Sequence, residues 1–120
     1  ERENAYWWYP VTLNLDALDI TAPEFVKELI ALKIPCYGIQ WPEAYEEKAY
    51  REMNGFGTAK FPFHSKEYAR EGLSYDNCVC EVAKSLRART VNLFLHPTWE
   101  ESHIQRVIDA FVSIHDKHLK

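Results

Sequence analysis

Along the chain the spacing of apolar positions switches between two and about 3.6, and each switch predicts an element. Tyr6 to Leu15 is dense in aromatic and β-branched residues, and Val11, Leu13 and Leu15 alternate with Thr12 and Asn14 as on a half-buried strand. Pro10 has no N–H to give a ladder, which predicts an edge position or a strand start. Thr21-Ala22-Pro23-Glu24 is a capping box with proline in the first turn, and Phe25, Leu29 and Leu32 recur at helical spacing until Pro35. Cys36 to Trp41 predicts a second short strand, stopped by Pro42. Glu43 to Glu52 predicts a short exposed helix.

Residues 42–75, with Gly55, Gly57 and Pro62 among aromatics, then predict a long irregular excursion. Asp76 is placed to cap a helix carrying Val79, Val82, Ala83 and Leu86, which ends among Arg87 and Arg89. Thr90 to Leu95 predicts an apolar central strand, broken by His96-Pro97. Thr98-Trp99-Glu100-Glu101 reads as a second capping box, opening a helix with Ile104, Val107, Ile108, Phe111 and Ile114 or His115 on one face. Few strands and few helices in this order predict an α+β layer: a small, mainly antiparallel sheet with helices packed on one face.

Composition narrows the function classes. A chain of 120 residues suits one domain. Its 47% hydrophobic content is globular, and no apolar run reaches the roughly 20 residues a membrane helix needs. The net charge is −4, with Lys and Arg scattered, so no basic stripe for nucleic acid is present. Three cysteines with no signal peptide predict reduced thiols and a cytoplasmic setting. Cys78 and Cys80 are expected as small helix residues, at least one of them buried. The chain opens on Glu1 and not on methionine, which predicts a piece trimmed from a longer protein.

No self-contained catalytic set is legible. There is no glycine-rich phosphate loop, no G-x-S-x-G elbow and no H-E-x-x-H. No metal is expected either: His96 and His103, or His115 and His118, lack further ligands at compatible spacing. His115 and His118 are expected in a solvated C-terminal turn. His64, in the excursion, and His96, just past a strand, occupy places where sites gather and suit donation to a substrate hydroxyl or phosphate. Tyr37, Trp41 and Tyr45 can wall a sugar ring, although aromatics of a small domain also serve as core.

The stretch from Asp76 to Ala110 resembles the end of the DegT/StrS family of sugar aminotransferases. The resemblance rests on Asn77-Cys78-Val79-Cys80-Glu81, on Leu93-Phe94-Leu95-His96-Pro97 and on Thr98-Trp99-Glu100-Glu101. Tyr9-Pro10-Val11, the helix Glu24–Leu32 leading to Ile34-Pro35-Cys36-Tyr37-Gly38, and Phe61-Pro62-Phe63 are similar to earlier family elements. Val79 stands where the family has proline, Cys80 where it has alanine, and Lys33-Ile34 lacks its glycine.

The resemblance implies the C-terminal small domain of an enzyme of the aspartate-aminotransferase fold type that uses pyridoxal phosphate. The Schiff-base lysine and phosphate cup belong to a large domain outside this chain, so the fragment has no catalytic or cofactor-binding residue and is inactive alone. The small domain covers the cleft over a keto-sugar or keto-cyclitol, with Tyr37, Gln40, Trp41, His64 and His96 as substrate lining. The implied partners are its own large domain, the substrate and a second subunit in a homodimer, with neither nucleic acid nor membrane. Related dehydratases replace the lysine with histidine on the same fold. A free-standing α+β ligand-binding or oligomerisation module is the competing reading.

Overall fold

The structure, a computed structural model, describes residues 6–68 and 70–120. The opening Glu1, read above as a cut end, and Ala69 of the excursion lie outside the described residues. Three strands, β1 (Trp8–Thr12), β2 (Cys36–Gly38) and β3 (Thr90–Phe94), form one antiparallel sheet in the order β1-β3-β2. The apolar β3 is central, and β1 with Pro10 is an edge, as the sequence predicts. The strands are shorter than the apolar runs that contain them. The helices are α1 (Ala22–Ala31), α2 (Lys48–Arg51), α3 (Glu81–Arg89) and α4 (Glu101–Lys117), with a turn of 3₁₀ helix at Ala44–Glu46. The fold is therefore α+β with a small antiparallel sheet.

Register decides which side of the sheet is core. Val11 pairs with Val91 and Cys36 with Leu93, so these side chains share one face. That face joins Phe25, Val26 and Leu29 of α1 and Ala110 and Ile114 of α4 in a single apolar cluster, with Phe25, Leu29 and Val91 fully buried. The Phe25 and Phe111 rings lie 4.7 Å apart within it.

Local chemistry fixes the helix ends. Thr21 Oγ1 accepts the Glu24 N–H at 3.4 Å, and Glu24 Oε2 accepts the Thr21 N–H at 3.0 Å, which is the expected box. At the other end α1 stops before Pro35 is reached. The Ile34 N–H reaches back to the Leu29 carbonyl and the Lys33 N–H to that of Ile30, with Lys33 at φ 61°. This is a Schellman turn, and Lys33 holds the left-handed position that glycine usually takes.

α4 does not begin on Thr98. Its cap is Glu100, whose N–H is accepted by His103 Nδ1 at 3.2 Å while the His103 N–H donates to the Glu100 backbone carbonyl at 2.9 Å. The Thr98 hydroxyl is engaged by His96 instead. Nor does Asp76 cap α3; it accepts the Ser74 hydroxyl at 2.8 Å, five residues before that helix starts at Glu81. The buried face of α4 is Val107, Ala110, Phe111 and Ile114, while Ile104, Ile108 and Val112 stand half-exposed. Cys78 and Cys80 are both exposed, against expectation.

The described residues fall into two compact units: the chain up to Gln40 together with Ser85–Lys120, and Trp41–Lys84. The first holds the sheet, α1 and α4. The second begins one residue before the predicted excursion and extends past it. Among the described residues no helix is long and apolar enough to cross a membrane.

Candidate functional site

In the sheet unit, the face opposite the core carries Trp8, Asn92, Phe94 and Tyr37. The Tyr37 ring lies 5.4 Å from Trp8 and 5.0 Å from Phe94, so packing on both sides fixes it. Desolvation raises the pKa of its phenol, which stays neutral at physiological pH. Just beyond β3, His96 is held by its own turn. Its Nδ1 accepts the Thr98 N–H at 3.3 Å and lies 2.7 Å from the Thr98 hydroxyl. With Nδ1 accepting, the neutral ring carries its hydrogen on Nε2. That N–H makes no hydrogen bond among the described residues, which leaves a positioned donor for an external oxygen.

Gln40 is not brought to this place. β2 runs antiparallel to β3, with Gly38 opposite Val91, so Gln40 lies past the Thr90 end while His96 lies past the Phe94 end. At roughly 3.3 Å per strand residue the two ends of β3 are about 13 Å apart. Tyr37, near the middle of the sheet, belongs with neither end alone. Of the five lining residues of the sequence reading, Tyr37, Gln40 and His96 lie in the sheet unit and Trp41 and His64 in the other. Trp41 is 61% exposed. His64 is exposed and makes no side-chain hydrogen bond among the described residues.

The second unit contains a cavity of its own, about 560 Å³, lined by Tyr45, Glu46, Arg51, Tyr75, Asp76 and Lys84 among others. Such a volume accommodates a small ligand. The Tyr45 hydroxyl accepts the Cys80 N–H at 2.9 Å, which pins one wall. Lys84 Nζ lies 3.7 Å from Glu46. The Arg51 guanidinium makes no hydrogen bond among the described residues and remains free for an anion.

Behind this cavity the rings of Tyr50, Phe63 and Tyr75 meet edge to face. The loop from Phe56 to Phe61 closes on itself through both backbone hydrogen bonds. A side chain at Gly55 would collide with the Phe61 carbonyl, which makes glycine obligatory there.

Sequence reasoning singled out Tyr45 as a ring wall and missed Arg51 and Lys84. One basic residue on α2 and another on α3 carry no spacing signal, and the folding of residues 41–84 is what gathers them. Among the described residues no group of three His, Cys, Asp or Glu side chains is arranged to hold a metal ion. Comparison with models of known protein families and with curated proteins finds no match for this chain.

Proposed function

We propose that the chain is the C-terminal small domain of a cytoplasmic, homodimeric pyridoxal-phosphate aminotransferase acting on a keto-sugar or keto-cyclitol. The observation that carries the reading is the succession Asn77–Glu81, Leu93–Pro97 and Thr98–Glu101, laid along the start of α3, the end of β3 and the start of α4. The uncovered stripe Ile104, Ile108 and Val112 supports it, since a covering domain needs an apolar surface to set against its larger partner.

Bound to the large domain, the cofactor supplies an electron sink for the substrate carbanion. No residue of this chain holds the cofactor in this reading, and every lysine among the described residues is exposed, whereas a Schiff-base lysine is activated by desolvation or a neighbouring cation. What the chain contributes is cover and orientation. Its packed sheet excludes water from the cleft, and His96 Nε2–H offers a hydrogen bond to a sugar oxygen.

The test is amino transfer by the uninterrupted gene product, supplied with pyridoxal phosphate, glutamate or glutamine, and a panel of keto-sugars and inososes. An amino-sugar or amino-cyclitol product by mass spectrometry is expected. In that enzyme His96→Gln raises KM by about tenfold, the value of one hydrogen bond of roughly 1.4 kcal/mol, with little change in kcat. No product from any keto substrate, or proof that these 120 residues are the whole natural protein, would favour a free-standing module, for which the Arg51 cavity is the natural binding site.

A further inference from the structure

His118, at the end of α4, lies with both ring nitrogens against carboxylates. Nδ1 is 2.9 Å from Asp19 Oδ1 and Nε2 is 2.8 Å from Glu28 Oε1, and the side chain is only 18% exposed. An ionised carboxylate accepts hydrogen bonds and donates none, so both contacts together require a hydrogen on each nitrogen. The neutral ring has one. The geometry is that of an imidazolium, in place of the solvated turn the sequence predicts.

The contacts of His118 sit on a backbone closure. The Asp19 N–H donates to the His118 carbonyl at 3.0 Å and the Lys120 N–H to the Ala17 carbonyl at 3.1 Å, around a bridge between Leu18 and Leu119. Leu18 belongs to the buried core, so this closure seals one end of the sheet unit. Lys120 Nζ adds bonds to the Leu15 and Asp16 carbonyls.

We propose that residues 118–120 form a proton-operated latch, closed on segment 17–19 and α1 while His118 is an imidazolium and opened on the Asp19 side when the ring loses its proton. The charges around the ring determine which side gives way. Glu28, on α1, is also held by Lys117 Nζ through both oxygens at 2.9 Å and keeps a partner whatever the ring does. Asp19, on the segment before α1, is 63% exposed and turns readily to water. Glu24, also on α1, faces His118 as a third carboxylate. On α4, Lys117 opposes the positive ring, and His115 is occupied with Asp116.

The hydrogen bonds to Glu28 and then Asp19 raise the His118 pKa above its ordinary 6.5. Their stabilisation is complete below 6.5 and is lost as pH rises through the higher folded value. Lys117, then His118, lower the Glu28 pKa below its ordinary 4.5, so that carboxylate holds its place above 4.5 and releases it as pH falls through the lowered value. The latch is closed between these two limits.

The experiment is an NMR pH titration of the 120-residue chain, following the His118 ring nitrogens and the amide exchange of Asp19 and Lys120, with Ile34 as the reference amide. His118 should titrate above free histidine. Across its titration, the protection of Asp19 and Lys120 should fall relative to Ile34 by about tenfold per unit of that shift. Asp19→Asn, an exposed substitution, should bring the His118 pKa down and remove most of the excess exchange. A His118 that titrates as free histidine would overturn the latch, as would equal protection of Asp19 and Lys120 on both sides of its pKa.

Discussion

The three cysteines differ in what surrounds the sulfur. Cys36 lies in the core with its Sγ 3.8 Å from the Val26 carbonyl, and burial pushes its thiol up to about 11. Attack on a reagent needs the thiolate, so burial and pKa act together to silence it. Cys78 and Cys80 are exposed. A thiol reagent applied to the folded chain near pH 8 should therefore label Cys78 and Cys80 quickly and reach Cys36 only after denaturant is added, as peptide mapping would record. Rapid labelling of Cys36 in the native state would show that the α1–β2 packing is looser than described. Sequence did not separate the three, because a C-x-C pair read as part of a helix suggests at least one buried thiol, whereas both precede α3 and are exposed.

At the scale of elements, the features legible in sequence are those set by neighbours in the chain. The Thr21 box, the edge position of Pro10 and the apolar β3 all depend on contacts within a few residues or on the chemistry of one residue. The illegible features depend on competition. Thr98 has the right spacing to cap α4, but the adjacent His96 ring engages its hydroxyl and Glu100 takes over, with His103 in the place of the usual acidic or amide partner. Likewise α4 has apolar residues over more than a third of its circumference, and only the tertiary fold selects Val107, Ala110, Phe111 and Ile114 for burial.

The end of α1 offers a direct test. Lys33 sits at φ 61°, where a Cβ costs about 1–2 kcal/mol and glycine's extra chain entropy about 0.5–1 kcal/mol. Lys33→Gly should therefore raise stability by up to about 1.5 kcal/mol in urea unfolding. A loss of stability would show that the Lys33 side chain contributes more than its backbone strain takes away.

On the scale of the molecule, the sheet, its order and the covered face follow from the alternation of strands and helices, and the α+β class was legible for that reason. The site was less so. A row of residues that looks contiguous in sequence, Tyr37 to Trp41, is divided by the antiparallel register, which sends Gln40 to the far end from His96. Register is a property of paired strands, and no single strand carries it. The same division shapes the functional proposal: within the sheet unit, Tyr37 and His96 are fixed by packing and by a local turn, whereas Gln40 has no part in their arrangement.

The proposal's central claim is that the reactive lysine lies elsewhere and this chain serves as its cover. Borohydride reduction of the pyridoxal-phosphate-loaded full-length protein, followed by peptide mapping, tests it most directly. The account predicts one stable phosphopyridoxyl-lysine in a peptide outside the 120 residues and none on Lys27, Lys33, Lys84 or the other lysines of this chain. A stoichiometric adduct on a lysine within it, or no adduct anywhere in the protein, would contradict the account.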